Sequence, residues 1–232
     1  MATYLYCLLP VSHEPPPAAL HGVDGGPVRA VNVGAMQLWV SDVERGALAP
    51  SIERARAHDQ VVRCGLERGT PLPARFGQAF DSDAALVARV RSREAELRRT
   101  MERVQGMVEM TVRILSTGEA GATAAPLRQP GMSGREYLSR IAERERTWGA
   151  WVEIAERARA CVSEAVRSLV EAEAFAGPTR RARVAAISHL VHRGNIAQYR
   201  GALSSVGLGG AAVMLTVSGP WAPYSFAEPL GV

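Results

Sequence analysis

Lysine is absent from the 232-residue chain, so all 27 of its basic side chains are arginine, set against 23 carboxylates for a formal net charge of +4. Both signs are spread along the sequence, which describes a mixed surface and not a polycation, so no nucleic-acid partner is expected. Arginine still matters chemically, because its planar fork makes bidentate and stacking contacts that an ammonium does not. Cysteine is scarce. Cys7, Cys64 and Cys161 are odd in number, far apart and outside any C-x-x-C spacing, which argues against a disulfide framework or a cysteine zinc site and fits a reducing compartment. No run approaches the roughly 20 apolar residues that span a bilayer, and residues 1–10 lack the basic start and the length of a secretory signal. A cytoplasmic protein with no membrane partner is expected.

What is present is a globular composition, 47% hydrophobic and 22% charged, with enough chain for two domains that need no cofactor for stability. Residues 3–9 are apolar up to Pro10 and predict a buried strand. Residues 28–33 and 38–43, separated by Gly34-Ala35-Met36, have hairpin spacing. Ser51 is placed to cap a helix that Gly69 stops. Pro73 argues for an edge or a strand start in residues 72–80 and against the middle of a sheet, and Asp81-Ser82-Asp83 offers N-caps for a helix running to about Gln105. Residues 108–114 alternate apolar and polar side chains, as a strand with one wet face does. Gly118, Gly121, Pro126, Pro130 and Gly131 mark a linker or loop. Beyond it a helical pattern runs from Glu136 to about Ala176, with Trp148, Trp151, Ala155, Ala158, Val162, Ala165 and Leu169 at steps of three and four. A strand at 184–191, a helix at 195–206 and a strand at 211–218 follow. This order predicts an α+β protein with domains at 1–117 and 134–232 joined by residues 118–133.

The search for chemistry returns little. His189 and His192 fall on opposite faces of their predicted strand, which is wrong for a metal pair. There is no G-x-S-x-G turn to present a nucleophile. Gly207-Leu208-Gly209-Gly210 lacks the lysine and the following helix of a phosphate-binding loop. Arg180-Arg181-Ala182-Arg183 lacks the interleaved aromatics of a single-strand binder. No catalytic, cofactor-binding or metal residues are assigned, and no cofactor is expected.

Two segments are less ordinary. Pro71-Leu72-Pro73-Ala74-Arg75-Phe76-Gly77 sets an arginine among apolar residues. Gly219-Pro220-Trp221-Ala222-Pro223-Tyr224-Ser225-Phe226 presents three aromatics on a backbone stiffened by two prolines, which lowers the entropic cost of a contact. Arg75, Phe76, Trp221, Tyr224 and Phe226 are therefore the candidate partner-binding residues, the alternative being that the aromatics fold back over a domain core.

These segments resemble the GvpF/GvpL family of gas vesicle proteins. The tail, with the strand Leu215-Thr216-Val217-Ser218 before it, is similar to the family's GPWPPYSF ending, with Ala222 in place of the second proline. Leu72-Pro73-Ala74-Arg75-Phe76-Gly77 is similar to its LPVRFG segment. Tyr4-Leu5-Tyr6, Val108-Glu109-Met110-Thr111-Val112-Arg113 and Gly134-Arg135-Glu136-Tyr137-Leu138 resemble further family segments in the same order. The resemblance implies two modified ferredoxin-like α+β domains, the second with a long helix. It also implies a non-enzymatic accessory or minor structural role in gas vesicle assembly, with the small hydrophobic shell protein and other accessory proteins as partners. The competing expectation is a small-molecule-binding or enzymatic ferredoxin-like protein, since such sheets host many unrelated sites.

Overall fold

Residues 1–44, 49–117, 131–180, 183–207 and 213–227 are described by the structure, a computed structural model. Strand β1 (Ala2–Pro10) is buried along nearly its whole length and feeds two apolar layers. Tyr4, Tyr6, Cys7 and Leu9 meet Trp39, Val61 and Val62 in one layer. Leu5 and Leu8 meet Leu38, Val40, Leu86, Val90 and Leu97 in the other. A register shift between Leu5 and Cys7 interrupts strict alternation, which explains why neighbouring Tyr6 and Cys7 join the same layer.

Strands β2 (Arg29–Val33) and β3 (Met36–Val43) form the expected antiparallel hairpin, and β3 pairs antiparallel with β1. The short strands β4 (Leu72–Pro73) and β5 (Ala79–Phe80) both pair with β1, giving the order β2-β3-β1-β4 with β5 also beside β1. Residues 72–80 are thus two short pairings with a loop between them and not one edge strand. Helix α1 (Ile52–Arg68) is capped by Ser51, whose hydroxyl accepts the Arg54 N–H, and ends at Gly69 as the sequence predicts. The single helix expected from 83 to 105 is broken at Arg93 (φ −121°, ψ 14°) into α2 (Asp83–Ser92) and α3 (Glu94–Val104). Residues 90–95 contain neither Gly nor Pro, so local propensity carries no signal for this break.

The second sheet has the order β7-β8-β6-β9, from β6 (Met107–Ser116), β7 (Val170–Ala176), β8 (Val184–His192) and β9 (Val213–Trp221). Helices α4 (Gly134–Val166) and α5 (Ile196–Ser204) pack together beside it. Helix α4 begins with a capping box between Ser133 and Glu136 and buries Trp151, Ala155, Ala158, Val162 and Val166. It stops ten residues short of the expected end at Ala176. A 3-10 turn at Arg167–Leu169 leads into β7. The segment Val-Glu-Ala-Glu-Ala-Phe-Ala also satisfies a period of two, and antiparallel pairing with β8 overrides its helical composition.

By contacts the chain forms two compact units, Met1–Glu109 with Pro220–Val232, and Met110–Gly219. The sequence placed the aromatic tail with the second domain, whereas its contacts group it with the first. Most of the expected linker, residues 118–130, lies outside the described residues.

Candidate functional site

The loop after β4 carries Arg75 and Phe76 and is held by hydrogen bonds from inside the first unit. The Ala74 N–H donates to the Tyr6 carbonyl. His58 Nε2 lies 3.2 Å from the Ala74 carbonyl, which only accepts, so this nitrogen carries the proton. His58 Nδ1 then accepts from the Tyr4 hydroxyl at 2.9 Å, and the Tyr4 oxygen accepts the Gly77 N–H at 3.0 Å. Gly77 turns the chain at φ +87°, where a side chain would be strained. Burial pushes the Tyr4 hydroxyl up and lowers His58 to about 4, so His58 is neutral in this relay. Phe76 stands edge-on to Tyr4 and His58 and is half-buried. Arg75 points outward: it is exposed and has no ion pair among the described residues.

The tail is fastened to the same unit. Ser225 donates from both its N–H and its hydroxyl to the Glu109 carboxylate, at 2.7 and 2.8 Å. Arg103 donates to the Phe226 carbonyl at 2.8 Å. Ala222 enters the layer containing Tyr4, Tyr6 and Val61, with Tyr224 packed against it. Burial raises the Tyr224 hydroxyl pKa. Phe226 is buried, while Trp221 is half-buried with the Arg63 guanidinium 4.7 Å above its ring. The five candidates therefore divide. Arg75 and the outer parts of Phe76, Trp221 and Tyr224 reach solvent, whereas Phe226 serves the packing. Trp221 is joined to α1 through the Arg63 stacking contact.

Sequence reasoning left out the residues that position these side chains. His58 acts through hydrogen bonds across the fold, to Tyr4 and to the Ala74 carbonyl. Glu109 was one of the polar residues of an alternating strand, yet it is buried and satisfied by the tail. Its unusual burial depends on a residue 116 positions away, so no local pattern signals it. The first unit also carries surface depressions. One, of about 590 Å³, runs along α1 past Arg56, Asp59, Arg63 and Glu67. The other, of about 240 Å³, is walled by Pro10, Met36 and Met101 and includes His13. Neither contains a residue of the predicted set.

A buried polar network lies in the second unit. His189 Nε2 donates to Glu173 at 3.1 Å, which leaves Nδ1 to accept from Tyr199 at 2.6 Å. Glu173 also accepts from Ser163 and from Arg159. Burial pushes the Glu173 carboxyl up, but the bonds from Ser163, Arg159 and His189 together hold it below the usual range. Its oxygens are occupied by structural partners. His192 is exposed and caps the turn after β8, so the two histidines do not converge. Among the described residues no cluster of three metal-ligating side chains occurs, and no helix is long and apolar enough to cross a membrane.

Residues 2–228 match the family described as gas vesicle synthesis protein GvpL/GvpF. The chain is 28% identical over 240 residues to gas vesicle protein F of a Streptomyces species, covering 98% of this chain and all of the relative. It is 28% identical to gas vesicle protein L of the same organism, covering 91% of this chain and 87% of that protein. The crystal structure of GvpF from Anabaena sp. PCC7120 has a similar fold, with a TM-score of 0.74 at 19% identity over 98% of both chains. The mixed helix-and-sheet architecture with its two sheets is therefore that of solved gas vesicle proteins, and the match runs through the loop at 72–77 and the tail at 219–226. The chain belongs to the GvpL/GvpF family of gas vesicle proteins.

Proposed function

We propose that this protein acts in the cytoplasm as a non-enzymatic assembly factor of gas vesicles, binding the small hydrophobic shell protein and other accessory proteins through the first unit. The observation that carries this reading is the family match across residues 2–228, which takes in both segments that the residues themselves single out. The geometry adds a surface of suitable character. Arg75 is an outward cation with no ion pair among the described residues, on a loop braced from below, beside the half-exposed ring of Phe76. Rigid aromatic and arginine side chains of this kind dominate binding energies at protein interfaces. The two units are read as modified ferredoxin-like domains, with the tail completing the first.

Co-expression with the shell protein of the same organism, followed by affinity capture and sizing, tests the proposal. Wild type is expected to elute with the shell protein in a soluble complex, Arg75→Ala to lose at least tenfold in affinity, and Trp221→Ala to lose less, because part of that ring is spent on Arg63. A folded wild type that captures no shell protein contradicts the proposal.

A further inference from the structure

A histidine of the first unit is held firmly by the fold while one nitrogen of its ring is left without a partner. The His13 N–H donates to the Pro10 carbonyl at 3.0 Å, and the His13 carbonyl accepts from Gln37 Nε2 at 3.4 Å. Gln37 is itself buried and accepts the Trp39 indole N–H, so the backbone carrying the ring is tied to the sheet. The ring lies over Gly69, where a β-carbon would come within 2.4 Å of His13 Nε2. Gly69 is extended (φ 173°), so space and not backbone strain requires glycine there. On this seat His13 Nδ1 is buried and makes no hydrogen bond among the described residues. A buried polar atom left unpaired is costly and calls for a partner.

His13 lines the cavity of about 240 Å³ in the first unit. A water molecule takes about 30 Å³, so a water on Nδ1 would leave most of this space unfilled. Pro10, Met36 and Met101 make the wall apolar, and thioethers contact aromatic rings favourably. The charges that reach the cavity from α3, Arg98 and Glu102, are opposite in sign, and Arg98 is already paired with Glu94. This balance favours an uncharged ligand. The Thr70 hydroxyl, also in the wall, spends its proton on the Met107 carbonyl, which leaves His13 Nδ1 as the polar anchor. The volume falls below the roughly 300–1,000 Å³ of drug-sized sites and limits the ligand to about one ring. An imidazole nitrogen donates or accepts according to its tautomer, and a hydroxyl does either. We propose that this cavity binds a small uncharged aromatic alcohol of the phenol class, its ring against Met36 and Met101 and its hydroxyl on His13 Nδ1. The site shares no residue with the Arg75 surface and does not depend on the assembly role.

Phenol is titrated into the full chain and followed through the backbone amide resonances of Ala35, Thr70 and Gln105, which line the cavity from three separate segments. Saturable shifts at these positions, with none at Ile187 and Leu190 of β8, are expected at a dissociation constant of about 1 mM, as suits so small a ligand. Toluene, which carries a methyl in place of the hydroxyl, should bind about tenfold more weakly. His13→Leu should abolish this preference, and Gly69→Ala, which keeps the imidazole but displaces its ring, should reduce it. Unshifted resonances of Leu5 and Val40 show that each variant is folded. Should His13→Leu fail to fold, the wild-type preference and Gly69→Ala still decide. Absence of saturable shifts with phenol overturns the proposal. Equal binding of phenol and toluene, or a preference that survives His13→Leu, also overturns it. Phenol binding that appears only when the chain is cut after Ala227 assigns the cavity to residues 228–232 and overturns it as well.

Discussion

His58 occupies a position where one proton decides whether the loop bearing Arg75 keeps its support. Both ring nitrogens are used, one donating to Ala74 and one accepting from Tyr4. Its pKa is lowered by burial from 6.5 to about 4. The unfolded chain therefore binds a proton near pH 6.5 that the folded chain resists until about pH 4, so stability is full above the unfolded pKa and falls as the pH drops through that window. His189, also lowered by burial, acts in the same direction. Urea unfolding should lose about 2 kcal/mol from His58 between pH 7 and pH 5, and His58→Gln should shrink this difference. A pH-independent midpoint over that range would contradict the assignment. Gly22 illustrates a different residue-scale constraint. A β-carbon there would lie 1.9 Å from the Tyr6 hydroxyl oxygen, which accepts the Val23 N–H at 2.7 Å, so the close approach of chain to ring requires glycine.

At the scale of elements, the tail behaves as a strap fastened by Glu109 and Arg103. Glu109→Ala removes the acceptor of two hydrogen bonds to Ser225 and is expected to cost about 1–3 kcal/mol. Limited proteolysis should then cut near residue 225 faster than in wild type. Equal cutting rates would show that packing of Ala222 and Phe226 alone holds the strap. Elements are also where sequence and structure part company. Strand β1, the hairpin, helix α1 with its Ser51 cap and Gly69 stop, and strand β8 all announce themselves through periodicity and capping, because their determinants are local. The break at Arg93, the conversion of residues 170–176 from helix to strand and the splitting of residues 72–80 do not: the first has no Gly or Pro to mark it, and the other two are decided by strand pairing, of β7 with the next strand β8 and of β4 and β5 with the distant β1. The candidate residues Arg75, Phe76, Trp221 and Tyr224 were readable as unusual segments. Their supports, His58, Tyr4, Glu109 and Arg103, were not, since nothing local distinguishes them from core and surface residues of ordinary strands and helices.

For the whole molecule, the return of the tail to the first unit means that the chain's two ends cooperate in one core, with Tyr4 and Tyr6 near the beginning and Ala222 and Tyr224 near the end sharing a layer. Truncation after Gly219 should therefore unfold or loosen the first unit, read as faster exchange at residues 4–9, and leave the α4–α5 pair of the second unit protected. The family places this construction in gas vesicle formation, and the proposed role is to keep apolar shell protein from associating prematurely. The most direct measurement is the light scattered when shell protein is diluted from denaturant into buffer containing this chain at equal concentration. Wild type is predicted to suppress the scattering, and Arg75→Ala with Phe76→Ala to restore most of it without loss of fold. Scattering that is as strong with folded wild type as with buffer alone would contradict the role.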